Sequence, residues 1–298
     1  MAEEGDIKWL LERNVFEDNN PERIAQIVRS RGMTCFEVAY TCVDGDEQQV
    51  RPAASVPFAH DDLVFVYGSM NLCRWLLRHR RWPQLAWYDF ARLRCQTYYA
   101  HWGNFLLQRE YAFLPLTEVH RRREWLFQTF GRDGRIFIRP DDNAKSFAGG
   151  VVEANDFEKW WELANFYRPS PESIAVVASP QIIRCEWRFI IGHKKVVTGS
   201  QYRRNGVEEL LASYPPEAAG FAEAVASFNG FEPQPVYVMD VCETSDGYRL
   251  VEIGSICCAS LYACDLDRVI AAITEGQTRV RNRTEGDTTL YLLDRWFS

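Results

Sequence analysis

Two acidic side chains sit inside runs that otherwise read as buried strand. Asp240 closes Val236-Tyr237-Val238-Met239, and Glu252 follows Leu250-Val251 and precedes Ile253. A carboxylate inside a packed sheet is expensive unless a cation neutralises it. The chain must therefore fold with positive charge against these two strands, either a divalent ion or a Lys or Arg partner. Asp246-Gly247 between the runs favours a tight hairpin turn, which makes the acids cross-strand neighbours.

Three further polar groups lie in or beside apolar strands. In Glu186-Trp187-Arg188-Phe189-Ile190-Ile191 the period of two puts Glu186, Arg188 and Ile190 on one face and Trp187, Phe189 and Ile191 on the other. Glu186 and Arg188 suit either an ion pair at a sheet surface, or a ribose hydroxyl at Glu186 with a phosphate or acyl-phosphate at Arg188. Arg139-Pro140 ends a strand over 136–139 and precedes Lys145-Ser146 and Gly149-Gly150. Two cations and a small-residue loop suit polyphosphate, and equally an ordinary turn with surface charges. Arg203 lies two residues beyond Gln201, on its face if the strand continues. It is either a solvated strand end or a group that holds a carboxylate or a transferring phosphoryl.

The order of patterns predicts strand, helix and strand over 7–11, 21–31 and 35–40, then an apolar strand over 63–67 and a helix over 71–79. Such units favour a parallel sheet in a small α/β domain over 1–90. Beyond it the reading is α+β: an aromatic helix over 88–107, an extended segment over 111–114, a helix over 121–130, strands over 136–139 and 151–152, and a helix over 156–167. A second lobe has strands over 174–177, 186–191 and 195–201, a helix over 207–227, strands over 236–241 and 249–253, and a helix over 266–274. Residues 279–298 carry no clear pattern. The domain division is 1–90 and 91–298, the latter with lobes at about 91–175 and 176–298.

A net charge of −7 disfavours nucleic acid, since a phosphate backbone needs an excess of Lys and Arg on one face. No run reaches the ~20 apolar residues of a membrane span. The acidic start of the chain, with no apolar stretch after it, makes a cytoplasmic setting the expectation, with the nine cysteines as free thiols. Cys257, Cys258 and Cys264 lack zinc-ligand spacing. The phosphate loop, the dinucleotide fingerprint, the zinc-protease helix and the nucleophile elbow are all missing from the sequence.

Ile138-Arg139-Pro140 with a trailing Lys145, then Glu186 to Gly192, Gly199-Ser200-Gln201-Tyr202-Arg203, Tyr237-Val238-Met239-Asp240-Val241 and Val251-Glu252-Ile253-Gly254-Ser255, taken in that order, resemble the ATP-grasp superfamily. The resemblance covers about 136–265 and is nearest to the clade named for two arginines and a lysine. It implies a small preceding α/β domain, a two-lobed ATP-grasp fold, and ATP with Mg2+ as cofactors. It also implies that Arg139 and Lys145 contact the nucleotide phosphates, that the backbone of Val177, Ala178 and Ser179 recognises adenine, and that Glu186 reaches the ribose. Arg188 and Arg203 would face phosphate or acceptor, and Asp240 and Glu252 would bind Mg2+. The implied activity is carboxylate-amine ligation through an acyl-phosphate on an unknown carboxylate and amine, including a peptide or protein. The alternative is a nucleotide-binding assembly factor without turnover. One position departs from the pattern: Gly254 stands where the family commonly has Asn, which removes a side-chain oxygen from the metal strand. Gly68, Ser69 and Asn71, at a strand-to-helix turn, are a topological guess for part of the acceptor site.

Overall fold

The computed structural model describes residues 7–16, 19–43, 46–52, 55–79, 82, 90–143, 146–166, 168–170 and 172–286. The strands are β1 (Ile7–Glu12), β2 (Cys35–Val38), β3 (Tyr40–Val43), β4 (Asp46–Pro52), β5 (Leu63–Tyr67), β6 (Tyr111–Pro115), β7 (Arg135–Pro140), β8 (Gly150–Glu153), β9 (Ile174–Ala178), β10 (Cys185–Gly192), β11 (Lys195–Arg204), β12 (Val207–Leu211), β13 (Val236–Thr244) and β14 (Gly247–Ser255). The helices are α1 (Asn20–Ser30), α2 (Met70–Arg78), α3 (Cys95–Trp102), α4 (Leu116–Arg121), α5 (Arg123–Phe130), α6 (Phe157–Phe166), α7 (Pro216–Ser227) and α8 (Leu266–Gly286).

Strands β2-β1-β5 form a parallel sheet and β3-β4 a hairpin. An antiparallel sheet has the order β6-β9-β7-β8, and a second antiparallel sheet has the order β12-β11-β10-β13-β14. Every residue of β5 is buried, as a parallel sheet covered on both faces requires. Its core is shared: Val269, Ile270 and Ile273 of α8 pack with β1 and β5 and also with Ile190, Val236 and Val238 of the five-stranded sheet. The opposite face of that sheet buries Trp187, Phe189 and Ile191 among α3 and α7. The four-stranded sheet has its own core, in which Ile136, Ile138, Ala175 and Val177 pack against Leu116, Val119, Leu126 and Phe157.

This layering explains how one strand carries both charge and core. Ile190 lies on the face that meets α8, while Glu186 and Arg188, on the same face of β10, lie beyond α8's contacts and line an open cleft.

Several expected elements differ. The helix expected over 207–227 begins only at Pro216, because Asn205 and Gly206 have φ of 49° and 79° and turn the chain into the hairpin β11-β12. An Asn-Gly pair is the preferred sequence for such a turn. The aromatic helix expected over 88–107 begins on 88–89, outside the described residues. From Phe90 onward it is broken into a 3-10 turn, α3 and a second 3-10 turn. The break has a distant cause. Asp141 accepts from the Cys95 N–H through its backbone oxygen (2.9 Å) and from the Gln96 N–H through Oδ1 (2.7 Å), capping α3 from the end of β7. The helix expected over 121–130 is two, divided at Arg122, and α8 runs well past 274.

Candidate functional site

The site is built on a row of side chains running across the five-stranded sheet. Arg188 on β10 pairs in register with Asp240 on β13, which pairs with Glu252 on β14. Direct cross-strand partners point to the same face. The two acids that constrained the sequence are therefore neighbours, and both line one cavity of about 830 Å³.

The row is tightly bonded. Arg188 donates from Nε to Asp240 Oδ1 (2.8 Å) and from Nη2 to Asp240 Oδ2 (2.7 Å), a two-pronged contact between buried groups. Its remaining nitrogen, Nη1, donates to the Ser260 carbonyl at 2.9 Å. The guanidinium also faces the Tyr262 ring at 5.0 Å and the Tyr202 ring at 5.8 Å. Burial opposes the charge on Arg188, but Asp240 more than offsets it and keeps the pKa above the ordinary guanidinium value. Burial pushes the Asp240 carboxyl up, Arg188 pulls it back, and Glu252 and Glu186 add to the rise.

Arg139 closes the row from the opposing sheet. It projects from β7 and donates from Nη2 to Glu252 Oε2 at 2.7 Å. The cleft is therefore walled by charges from both antiparallel sheets: Arg139 from one, and Glu252, Asp240 and Arg188 from the other. Gly149 packs closely beside Arg139. A Cβ there would lie 3.0 Å from Arg139 Cα and 3.1 Å from the Ile138 carbonyl, so a larger residue would press on the backbone of β7 where the loop folds back.

At the other end of the row, Glu186 accepts from the Tyr202 hydroxyl (2.8 Å) and from Arg203 Nη1 (3.3 Å). A bulge in β11 produces this arrangement. Arg203 pairs with Glu186, but Gln201 pairs with Trp187, so Gln201 and Arg203 do not share a face as an unbroken strand would require. Tyr202, buried and held protonated by burial and the nearby Asp240 and Glu186, enters the site as a result.

The other expected residues are placed as follows. Val177 is paired with Ala112 on β6 and Ile138 on β7, and its side chain lies in the core of the four-stranded sheet. Neither Val177 nor Ser179 lines the cavity; Gln181 and Ile183 do, and Gln181 Nε2 donates to the Ser179 carbonyl (3.4 Å). At Val177 the strand is paired on both sides, with β6 and β7. Ala178 is likewise within the strand, paired with Tyr111 and Phe137. Lys145 lies outside the described residues. Gly68 and Ser69 stand at Glu12 instead of at the cavity: Glu12 Oε2 accepts from the Ser69 N–H at 2.6 Å, and Ser69 caps α2.

Four contributors were not anticipated: Tyr202, Tyr262, Asp141 and Asn143. Tyr202 lay inside a quoted motif, and Asp141-Asp142-Asn143 follow Arg139-Pro140 directly, so a polar run at a strand end was the available signal. Tyr262 had none, since its contact with Arg188 joins residues far apart in the chain.

The profile of the ATP-grasp domain of the clade named for two arginines and a lysine, family 3 of that clade, matches residues 101–273, more than half of the chain. The chain belongs to this ATP-grasp family. The ATP-grasp fold extends across known structures at low identity. A D-cycloserine synthetase, DcsG, is 13% identical, with 91% of this chain and 99% of that one covered at a TM-score of 0.57. The D-alanyl-alanine synthetase A of Vibrio cholerae O1 biovar eltor str. N16961 is 11% identical, with coverages of 96% and 100% and a TM-score of 0.57. A RimK domain ATP-grasp protein from Sphaerobacter thermophilus DSM 20745 is 12% identical, with coverages of 91% and 97% and a TM-score of 0.51. No curated protein matches the chain. Among the described residues no helix is long and apolar enough to cross a membrane.

Proposed function

We propose that the cleft binds ATP with Mg2+ and that the protein is a carboxylate-amine ligase working through an acyl-phosphate. The observation that carries this reading is the convergence, in one cavity, of Arg139 from one sheet with Arg188, Arg203 and two in-register acids from the other.

Mg2+ takes hard oxygen ligands, commonly one or two carboxylates with nucleotide phosphates. Asp240 and Glu252 fit that demand: they are adjacent on one face, and the Arg188 fork uses only one lone-pair direction on each Asp240 oxygen. Among the described residues no group of three His, Cys, Asp or Glu side chains clusters for a metal, so the carboxylate share rests on this pair. When bound, the ion neutralises charge on the transferring phosphoryl group.

The chain's own residues account for the rest. Arg139 exchanges Glu252 for a phosphate oxygen, which frees the Glu252 carboxylate. Arg188, fixed by Asp240, Ser260 and two tyrosine rings, presents an oriented positive charge beside the phosphates. Arg203, half exposed at the rim, meets the acceptor carboxylate or the phosphoryl group as it leaves ATP. Glu186, held by Tyr202, orients the ribose. The carboxylate oxygen attacks the γ-phosphorus and ADP leaves; an amine then attacks the acyl carbon and phosphate departs. The acceptor class we favour is a peptide or protein carboxylate, in keeping with the resemblance noted in the sequence.

The test is ADP release with candidate carboxylates in the presence of hydroxylamine. Carboxylate-dependent ADP formation with accumulation of a hydroxamate is expected. Tight ATP binding with neither product would overturn ligation and favour the assembly-factor alternative.

A further inference from the structure

Gly254, two residues beyond Glu252 on β14 and paired with Val238, leaves that strand without a side chain on the face that carries Glu252, and a neighbour lies against the space. A Cβ built on Gly254 would lie 3.6 Å from Asn143 Nδ2 and 3.7 Å from Asn143 Oδ1. Asn143 comes from the loop after β7, on the opposing sheet, and lines the same cavity as Asp240 and Glu252. Its amide is oriented. Nδ2 donates to the Ile253 carbonyl at 2.9 Å, the backbone group between Glu252 and Gly254. Oδ1 is thereby left as the acceptor end, and it accepts no hydrogen bond among the described residues.

The loop that carries Asn143 is held on both sides. Asp141 is tied to the start of α3 by three hydrogen bonds, including Arg94 Nε to Oδ2 at 2.7 Å, and Asp142 Oδ1 accepts from the Ser146 N–H at 3.2 Å. Asn143 is thus a positioned carboxamide that lines the same cavity as the two carboxylates and is bonded to the backbone next to Glu252. A carboxamide oxygen is a hard, neutral ligand of the kind divalent ions accept. It adds no negative charge to a cleft that already holds Glu186, Asp240 and Glu252.

We infer that Asn143 Oδ1 is a third protein ligand of the divalent ion, supplied across the cleft into the space that Gly254 leaves open. The inference rests on the Mg-ATP reading of this cleft and adds to it: the ion would join the two antiparallel sheets instead of belonging to one. It also means that Gly254→Asn alone is no simple restoration. The new side chain would meet Asn143, while its Cβ presses on Val238 Cγ2 at 3.0 Å.

The experiment measures, on the full chain at fixed ATP, the Mg2+ concentration that gives half of the magnesium-dependent rise in melting temperature. Circular dichroism verifies that each variant is folded. Asn143→Ala should raise that concentration by about tenfold, the scale on which a metal site's supporting groups act. Asn143→Asp keeps an oxygen but loses the N–H that donates to Ile253, so it should hold the concentration at or below the parent value. Asn143→Ala with Gly254→Asn should return most of the loss. An unchanged midpoint in Asn143→Ala, or an Asn143→Asp variant as impaired as the alanine, would overturn the inference; the second result would show that only the bond to Ile253 matters. A parent protein that binds ATP without regard to Mg2+, or fails to bind ATP, would contradict the reading of the cleft itself.

Discussion

The two antiparallel sheets face the same cleft but treat their charges differently. In the five-stranded sheet the ions are matched within the sheet: Arg188 with Asp240, and Arg203 with Glu186. In the four-stranded sheet Arg139 has its acid across the cleft, on Glu252. A pair closed within one buried sheet belongs to the fold as much as to the site. A pair that spans the opening can exchange its partner for a ligand without disturbing either core.

Substitutions should separate the two cases. The largest stability effect is expected from Arg188→Met, which leaves Asp240 buried and unpaired; urea denaturation should show a loss of about 3–5 kcal/mol. A loss below about 1 kcal/mol, the scale of an exposed pair, would break the distinction. Gly149→Ala comes next. The added methyl meets backbone atoms of β7, so a loss of about 1–3 kcal/mol is expected, together with weaker ATP binding by calorimetry. Arg139→Met should cost less than Arg188→Met, because the acid it leaves behind, Glu252, is more open to solvent than Asp240, yet it should abolish the nucleotide response.

The smallest effect lies outside the cleft. Burial raises the Glu12 carboxyl pKa above its ordinary value, against the lowering by Ser69. A raised acid binds its proton more tightly in the folded state, so its stabilisation is full below the unfolded value and is lost as pH rises through the folded one. Glu12→Gln should therefore flatten the fall in melting temperature on going from acid toward neutral pH. An identical pH profile in parent and variant would contradict the assignment.

The charged row was legible because each member violates strand patterning: Asp240, Glu252, Glu186, Arg188 and Arg139 stand where a packed sheet calls for apolar side chains. Periodicity also fixed which faces they share, since β10, β13 and β14 pair where these residues fall. It failed at Gln201 and Arg203, where one bulge reverses the alternation. The hairpin at 205–206 was readable from Asn205-Gly206, but the helix expected over 207–227 took in the strand β12 that the turn leads into. The break before α3 was not readable locally, because its cap is Asp141, more than forty residues away. Tyr262 was missed for the same reason, since its meaning depends on what the fold brings opposite it, whereas Asn143 lay in a polar run directly after Arg139-Pro140.

On the proposed function, Arg139 is the part of the row that opens to receive the nucleotide phosphates. The direct measurement is the melting temperature of the parent and of Arg139→Met, each with and without saturating Mg-ATP. At about 100 times Kd a ligand adds roughly 2.7 kcal/mol, so the parent should gain about 4 °C, while the variant melts near the unliganded parent and gains nothing. An Arg139→Met protein that responds to Mg-ATP as fully as the parent would contradict the account.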